Sequence, residues 1–408
     1  MPNPTARLAA VRQTRGVSVD LTRLRRHPDV EPPSLRAYDA ADALLLDEAA
    51  PVLRAAAPDL ADVVVIGDTH GALTLSLVAA LDGAGGRPAR LRTHTDSVVG
   101  ELALAANAAT LGIDLDGVTA PDPYDDPAGL LGGARVVLLR LPRSLAALEE
   151  TAQLVATHAD PGVHLLAAGR DKHMTPAMNT ILARSFADVR ASRGRQKSRV
   201  LHARDARPGP LTHPVAATLA GVAVAGAAGH DVAVVAHGAA FAGAALDGGT
   251  RALLAHLQRM APEAREAIDL GCGTGVLAVS LALARPDLRV LATDASAAAV
   301  ASARATARGS GVEDRVDVRR ADGLAGLPPA SADLVVCNPP FHAGAAVVPD
   351  AGVRLLRGVR HVLRPGGELW TVYNSRLSRA RELRRAVGPT EVVSDDGRFT
   401  VARTVRPD

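Results

Sequence analysis

Along most of the chain, short solid apolar runs alternate with longer stretches rich in alanine and leucine. The segment "ADVVVIGDTHGALTLSLVAAL" (61–81) reads as a buried strand, a glycine turn and a helix, and "REAIDLGCGTGVLAVSLALA" (265–284) reads the same way. Apolar runs without polar alternation are the signature of strands covered on both faces. The pattern then repeats. "THADPGVHLLAAG" (157–169) matches "RHVLRPGGELWTVYN" (360–374), each a helix end, a Pro-Gly turn and a buried strand. "QKSRVLHARDARP" (196–208) matches "DGRFTVARTVRP" (396–407), a last strand with an arginine-rich exit. Three matches in one order, offset by about two hundred residues, predict one domain present twice.

Strand and helix alternation within each half predicts doubly wound α/β sheets. The Pro-rich polar stretch "RDARPGPLTHP" (204–214) marks the boundary. Beyond it, "GVAVAGAAGHDVAVVAHGAAF" (221–241) predicts a hairpin turning at Gly229–Asp231.

Composition changes this picture in four ways. The chain has 408 residues, enough for two full cores, and only 2% are aromatic, so those cores are built from Val, Leu and Ala. No run of eighteen apolar residues lacks turn formers or charges, and "MPNPTARLAAVRQTRG" has no apolar signal core, which predicts a soluble cytoplasmic protein with no membrane partner. Cys272 and Cys337 have no metal-ligand spacing between them, so neither a disulfide nor a metal is expected. Net charge is only +3, yet the cations are nearly all arginine and cluster. Residues 190–207 hold seven basic side chains against the single acid Asp205, and 376–385 hold five against one. Either run alone fits a solvated face; together they lean towards nucleic acid, since arginine grips phosphate bidentately and stacks on bases.

The candidate chemistry lies in the second half. "AIDLGCGTGVLA" (267–278) places Asp269, Gly271, Gly273 and Gly275 between a strand and a helix. Glycines there allow a tight turn and close approach of a ligand to helix N–H groups, although structural punctuation is the other reading. The spacing departs from the dinucleotide fingerprint. Asp294 ends the next strand, where an acid can take both hydroxyls of a ribose or cap a helix. Asp322, before Gly323, ends a third strand, where its carboxylate meets an adenine amine or only makes a turn. Successive strand ends of one sheet form the ligand crevice of such folds, so an adenosine-containing cofactor is the economical reading.

"LVVCNPPFHAG" (334–344) then runs a buried strand into Asn338, Pro339, Pro340 and Phe341. Asn338 offers a side-chain carbonyl, and Pro339, held extended by Pro340, offers its backbone carbonyl. Two fixed acceptors can take both hydrogens of a planar amino group and turn its lone pair towards an electrophile. Phe341 is placed to stack on a planar base.

Together these residues resemble class I S-adenosylmethionine-dependent methyltransferases acting on exocyclic nitrogens. "NPPFH" is similar to the bacterial rRNA guanine-N2 methyltransferases, whose active domain follows an inactive copy. "AYDAADALLLDEA" (37–49) resembles the opening of the large-subunit branch more than the small-subunit branch. "AAFAGAALDGGTRALL" (239–254) resembles the segment before the cofactor loop, with Phe241, Leu246, Asp247 and Gly249 matching. Ala242 and Gly243 depart from the serine and arginine usual after that phenylalanine.

The resemblance implies two tandem class I (Rossmann-like) domains, each a seven-stranded sheet with its last strand antiparallel. Residues 1–208 are then a degenerate copy that recruits RNA, and 209–408 the catalytic domain. It implies S-adenosylmethionine as cofactor, ribosomal RNA as partner, 23S rather than 16S, and a monomer without metal. His342 goes with the family motif and needs no catalytic role. In the first half, Thr69 stands where the middle glycine belongs, and "RLPRS" (140–144) stands at the N-P-P-F position. Protein-glutamine N5 and DNA adenine N6 methylation are the rival activities, because both substrates present the same planar amine. A vestigial RNA-binding module is the non-enzymatic rival.

Overall fold

The computed structural model describes residues 19–32, 35–56, 60–82, 90–222, 229–339, 355–356, 358–377 and 379–408. The chain divides into two units, Met1–Thr212 and His213–Asp408. In the first, α1 (Ala40–Ala56), β1 (Val63–Ile66), α2 (Ala72–Asp82), β2 (Leu91–His94), α3 (Val98–Leu111), β3 (Val118–Thr119) and α4 (Pro127–Leu131) lead to β4 (Val136–Arg140). Next come α5 (Leu145–His158), β5 (His164–Arg170), α6 (Pro176–Ser185), β6 (Phe186–Ala191) and β7 (Ser198–Ala206). The strands form one seven-stranded sheet in the order β3-β2-β1-β4-β5-β7-β6. Only β7 runs antiparallel, between β5 and β6.

The second unit begins with a two-stranded hairpin, β8 (Val215–Val222) and β9 (His230–Ala236), followed by α7 (Gly248–Leu254), β10 (Glu266–Leu270), α8 (Val276–Ala284), β11 (Arg289–Asp294) and α9 (Ala297–Gly309). After β12 (Val316–Arg320) and β13 (Ala332–Cys337) come β14 (Leu363–Asn374), β15 (Thr390–Asp395) and β16 (Phe399–Val405), with short helices at Val359–Val362 and Ala380–Ala386. The order β12-β11-β10-β13-β14-β16-β15 is the first sheet's order again. The last strand, β16, is antiparallel to both neighbours, as the resemblance implied. The α/β class and the pair of Rossmann-like sheets therefore stand as read from the apolar runs.

Each sheet is buried on both faces. In the second unit one face packs under α8, α9 and the hairpin, through residues such as Val234, Leu281, Ala303 and Trp370. The other face gathers Ile268, Val335, Leu369 and Leu383. Helix α8, "VLAVSLALA", carries no polar stripe because nearly all its length is covered. The first unit repeats this arrangement with Leu139, Leu148 and Phe186 on one face and Leu45, Leu73 and Leu138 on the other.

The hairpin starts earlier than the sequence suggested, at Val215, and ends at Ala236 rather than Phe241. Most of β8 is exposed, so its alanines carry no burial pattern to read. β9 lies against α9 through an unusual ladder. Backbone N–H groups of Ala233, Val235 and His237 donate to the hydroxyls of Ser310, Thr306 and Ser302, at 3.1, 3.0 and 3.0 Å.

A candidate methyl-transfer site at the ends of the central strands

Strand β10 sits between β11 and β13, so the turn after it opens at the middle of the sheet's C-terminal edge. Gly271, Gly273 and Gly275 all take positive φ there, at 74°, 54° and 80°. A side chain at Gly275 would bring its Cβ to 3.0 Å from Cβ of Ala303 on α9, so glycine is what lets the two helices close. At Gly273 a Cβ would meet nothing within 4 Å, so the loop faces open space on that side. A glycine loop in this conformation, open on one side, fits the methionine end of S-adenosylmethionine passing close over its backbone.

Asp294, half-buried at the end of β11, ties this loop to the next helix. One carboxylate oxygen accepts from Gly273 N–H at 3.0 Å, and the other from Ser296 N–H at 2.9 Å. The N-cap of α9 is Ser296, whose hydroxyl accepts from Ala299 N–H at 3.1 Å, so Asp294 is not that cap. Asp322 follows β12 on the adjacent strand, and Ala321 N–H bonds to the Asp294 carbonyl at 2.9 Å, which sets the two acids on neighbouring strand ends. Asp269 lies deeper. It is 1% exposed, and one oxygen accepts from Ala278 N–H in the first turn of α8 at 3.0 Å. Burial, aided by the nearby Asp294 carboxylate, pushes its carboxyl up to about 7. Its place is beneath the loop, holding the helix, rather than on the open side.

Asn338 follows β13 directly. Its Nδ2 donates to Asp247 Oδ2 at 2.8 Å and to Thr250 Oγ1 at 3.1 Å. Asp247 is also the N-cap of α7, accepting from Gly249 and Thr250 N–H at 2.9 and 3.1 Å on the same oxygen. Pro339 is buried beside it. Pro340, Phe341 and His342 lie outside the described residues. Sequence reasoning had matched Asp247 without a role and missed Thr250; the signal available was the D-x-x-T spacing of a helix start. It also missed Leu355, whose side chain lies against Gly271 and Gly323.

The first unit has the corresponding strand ends with different occupants. Its loop keeps Gly67 and Gly71 at positive φ, but Asp68 turns inward and accepts from the N–H groups of Gly71, Leu73 and Thr74. Those are the donors at the start of α2. Gly67 N–H bonds to the His94 carbonyl as Gly271 N–H bonds to that of Thr293, so Thr95 stands where Asp294 does. Arg140 takes the place of Asn338. Its guanidinium pairs with both Asp39 oxygens, at 3.2 and 3.3 Å, and its Nε lies 3.2 Å from Asp42. Burial raises the Asp42 carboxyl to about 6 in spite of Arg140.

The basic run at 190–207 is less bare than the sequence implied. Arg190 pairs with Asp188, Arg195 with Asp47 and Arg199 with Asp171, acids supplied mostly by other elements.

Comparison with known proteins agrees in both halves. Residues 15–207 match the RLMG N-terminal domain family, and residues 231–403 match the methyltransferase small domain family. Ribosomal RNA large subunit methyltransferase G of Streptomyces avermitilis is 35% identical over 94% of this chain and 96% of its own length. The Streptomyces coelicolor and Pseudomonas aeruginosa (strain UCBPP-PA14) proteins of the same name are 36% and 34% identical, over 94% and 93% of this chain and 97% and 96% of theirs. The chain belongs to the ribosomal RNA large subunit methyltransferase G family. Among solved structures, the T. thermophilus 16S rRNA N2 methyltransferase RsmC, in complex with AdoMet and guanosine, is similar in fold to this family member. The TM-score is 0.71 at 21% identity, over 92% of this chain and 97% of that one.

Proposed function

We infer that this chain methylates the exocyclic N2 of a guanine in ribosomal RNA, using S-adenosylmethionine. The observation that carries the reading is the Asn338 amide at the end of a central strand, its nitrogen anchored, one strand over from the glycine loop. When bound, S-adenosylmethionine supplies a methyl group activated by its sulfonium and departs as a neutral thioether. The chain's own residues do the rest. Asn338 Oδ1 and the Pro339 carbonyl accept the two hydrogens of the guanine amine, which aims its lone pair away from the ring. As the new C–N bond would form and the methyl–sulfur bond break, the amine would lose one proton to solvent, so no strong base is required. Asp294 and Asp322 hold the ribose and adenine, Gly271, Gly273 and Gly275 admit the methionine end, and Asp269 fixes the helix behind them. Phe341 stacks on the flipped base. Membership of a ribosomal RNA family sets aside glutamine and DNA adenine as substrates.

The relatives' large-subunit name favours 23S over 16S RNA, and a metal-free monomer working in the cytoplasm is the form that suits this reading. No helix among the described residues is long and apolar enough to cross a membrane, and no described group of His, Cys, Asp and Glu could hold a metal. The first unit serves RNA recruitment through the run at 190–207. Arg190 and Arg195 sit there in exposed ion pairs worth at most about 1 kcal/mol each, which phosphate can displace. One experiment tests both halves of the reading: mapping methylated guanosines in rRNA from cells with the gene, without it, and with Arg193, Arg195 and Arg199 changed to Ser. A single N2-methylguanosine should vanish without the gene and fall in occupancy with the triple variant. An unchanged map without the gene removes the assignment, and full occupancy in the triple variant removes the recruiting role.

A further inference from the structure

We propose that Asp247 and Thr250 are positioning residues that fix which end of the Asn338 amide meets the substrate, an inference that rests on the methyltransferase reading. A primary amide has two nearly isosteric ends, and only its oxygen can accept a hydrogen from the target amine. Both hydrogens of Asn338 Nδ2 are taken, one by Asp247 and one by Thr250. A carboxylate cannot donate. Rotating the amide half a turn would set Oδ1 against the Asp247 oxygen at about the same 2.8 Å, a repulsive contact in place of a charge-assisted bond. The orientation is therefore dictated by chemistry, and Oδ1 is left as an acceptor with no partner among the described residues.

The start of α7 is built for this contact. A Cβ at Gly249 would fall 2.7 Å from Asn338 Oδ1, and one at Gly248 would fall 2.8 Å from the Phe399 ring. Two successive glycines let the helix start wedge between these side chains. The first unit supplies an independent instance. There Asp39 and Asp42, at the same two positions of α1, hold the donor group of Arg140 at the corresponding strand end. In both units the helix start acts as an acceptor pair for whatever donor the strand presents. The consequence differs: an arginine is consumed by the pair, whereas an asparagine keeps a second, opposite end for use.

The test uses the full chain, rRNA and labelled S-adenosylmethionine. Thr250→Val keeps the shape and removes one acceptor; kcat should fall about tenfold, with KM for S-adenosylmethionine within about twofold. Thr250→Ser, which keeps the hydroxyl, should recover most of the lost rate. Asp247→Ser retains an N-cap oxygen but withdraws it from Asn338, and should lower kcat at least as far. In an Asn338→Ala chain, neither substitution should lower the residual rate further, because the group they position is gone. Unchanged kcat in Thr250→Val, or an equal loss in the Asn338→Ala background, overturns the proposal by reducing both residues to helix caps. A parent chain that binds S-adenosylmethionine but labels no rRNA overturns the methyltransferase reading itself, a failure visible before any variant is made.

Discussion

Asn338 and Arg140 occupy the same place in two copies of one fold, and each is gripped by the same two positions at the start of its unit's first described α-helix. In the second unit the grip takes the amide nitrogen and leaves Oδ1 without a partner among the described residues. In the first, the guanidinium closes on Asp39 and Asp42, and nothing is left over to hold an amine. The neighbouring strand ends diverge the same way. Thr95 stands for Asp294, and Asp68 folds onto the helix start that a cofactor would approach. On the proposed reading the first unit keeps the framework without the chemistry, its corresponding polar positions being taken up by internally satisfied pairs.

The comparison is broken most directly in the second unit. Asn338→Ala should lower turnover at least a hundredfold while leaving S-adenosylmethionine affinity nearly intact, as loss of a preorganised contact made in the transition state does. Near-normal turnover with labelled cofactor removes the central claim. In the first unit, Arg140→Met leaves the Asp39 and Asp42 carboxylates without their cation and should destabilise that unit by about 2–4 kcal/mol. That is below the cost for a fully buried pair, because Arg140 keeps 21% of its side chain exposed. The single tryptophan, Trp370, reports only on the second unit, so the measurement is hydrogen exchange in α1 and β4. Unaltered protection there means the pair is dispensable. The smallest effect concerns the cofactor. Asp294→Ala should weaken S-adenosylmethionine by about 1–3 kcal/mol in calorimetry. Adding Thr95→Asp to that variant should restore nothing, since the first unit's loop is already capped by Asp68. Unchanged affinity in Asp294→Ala reduces Asp294 to a tie between loop and helix.

Much of this was legible in the chain itself. Solid apolar runs ending in glycine or in Asn-Pro announced both sheets, because strands covered on two faces admit little else. The positions of Asp294 and Asp322 at strand ends followed from the same runs. What stayed hidden depended on long separations. Asp42 lies ninety-eight residues from Arg140, and Asp247 ninety-one from Asn338, so neither pairing leaves a local trace. Asp47 and Asp171 likewise reach the basic run from elements distant in sequence, and so its charge looked barer than it is. The exposed alanines of β8 hid a strand for the opposite reason: with no buried face there was no period to detect.

The hydroxyls of Ser302, Thr306 and Ser310 recur every four residues along α9 and its C-cap, and the N–H groups they meet recur every two along β9 and the residue after it. Four helical residues advance about 6 Å. Two strand residues advance about 6.7 Å. The two rulers agree closely enough for three successive bonds and would drift apart over many more. The hairpin is thereby seated like a vernier against the helix whose Ala303 packs on Gly275. A slip of one residue would lose every coincidence at once.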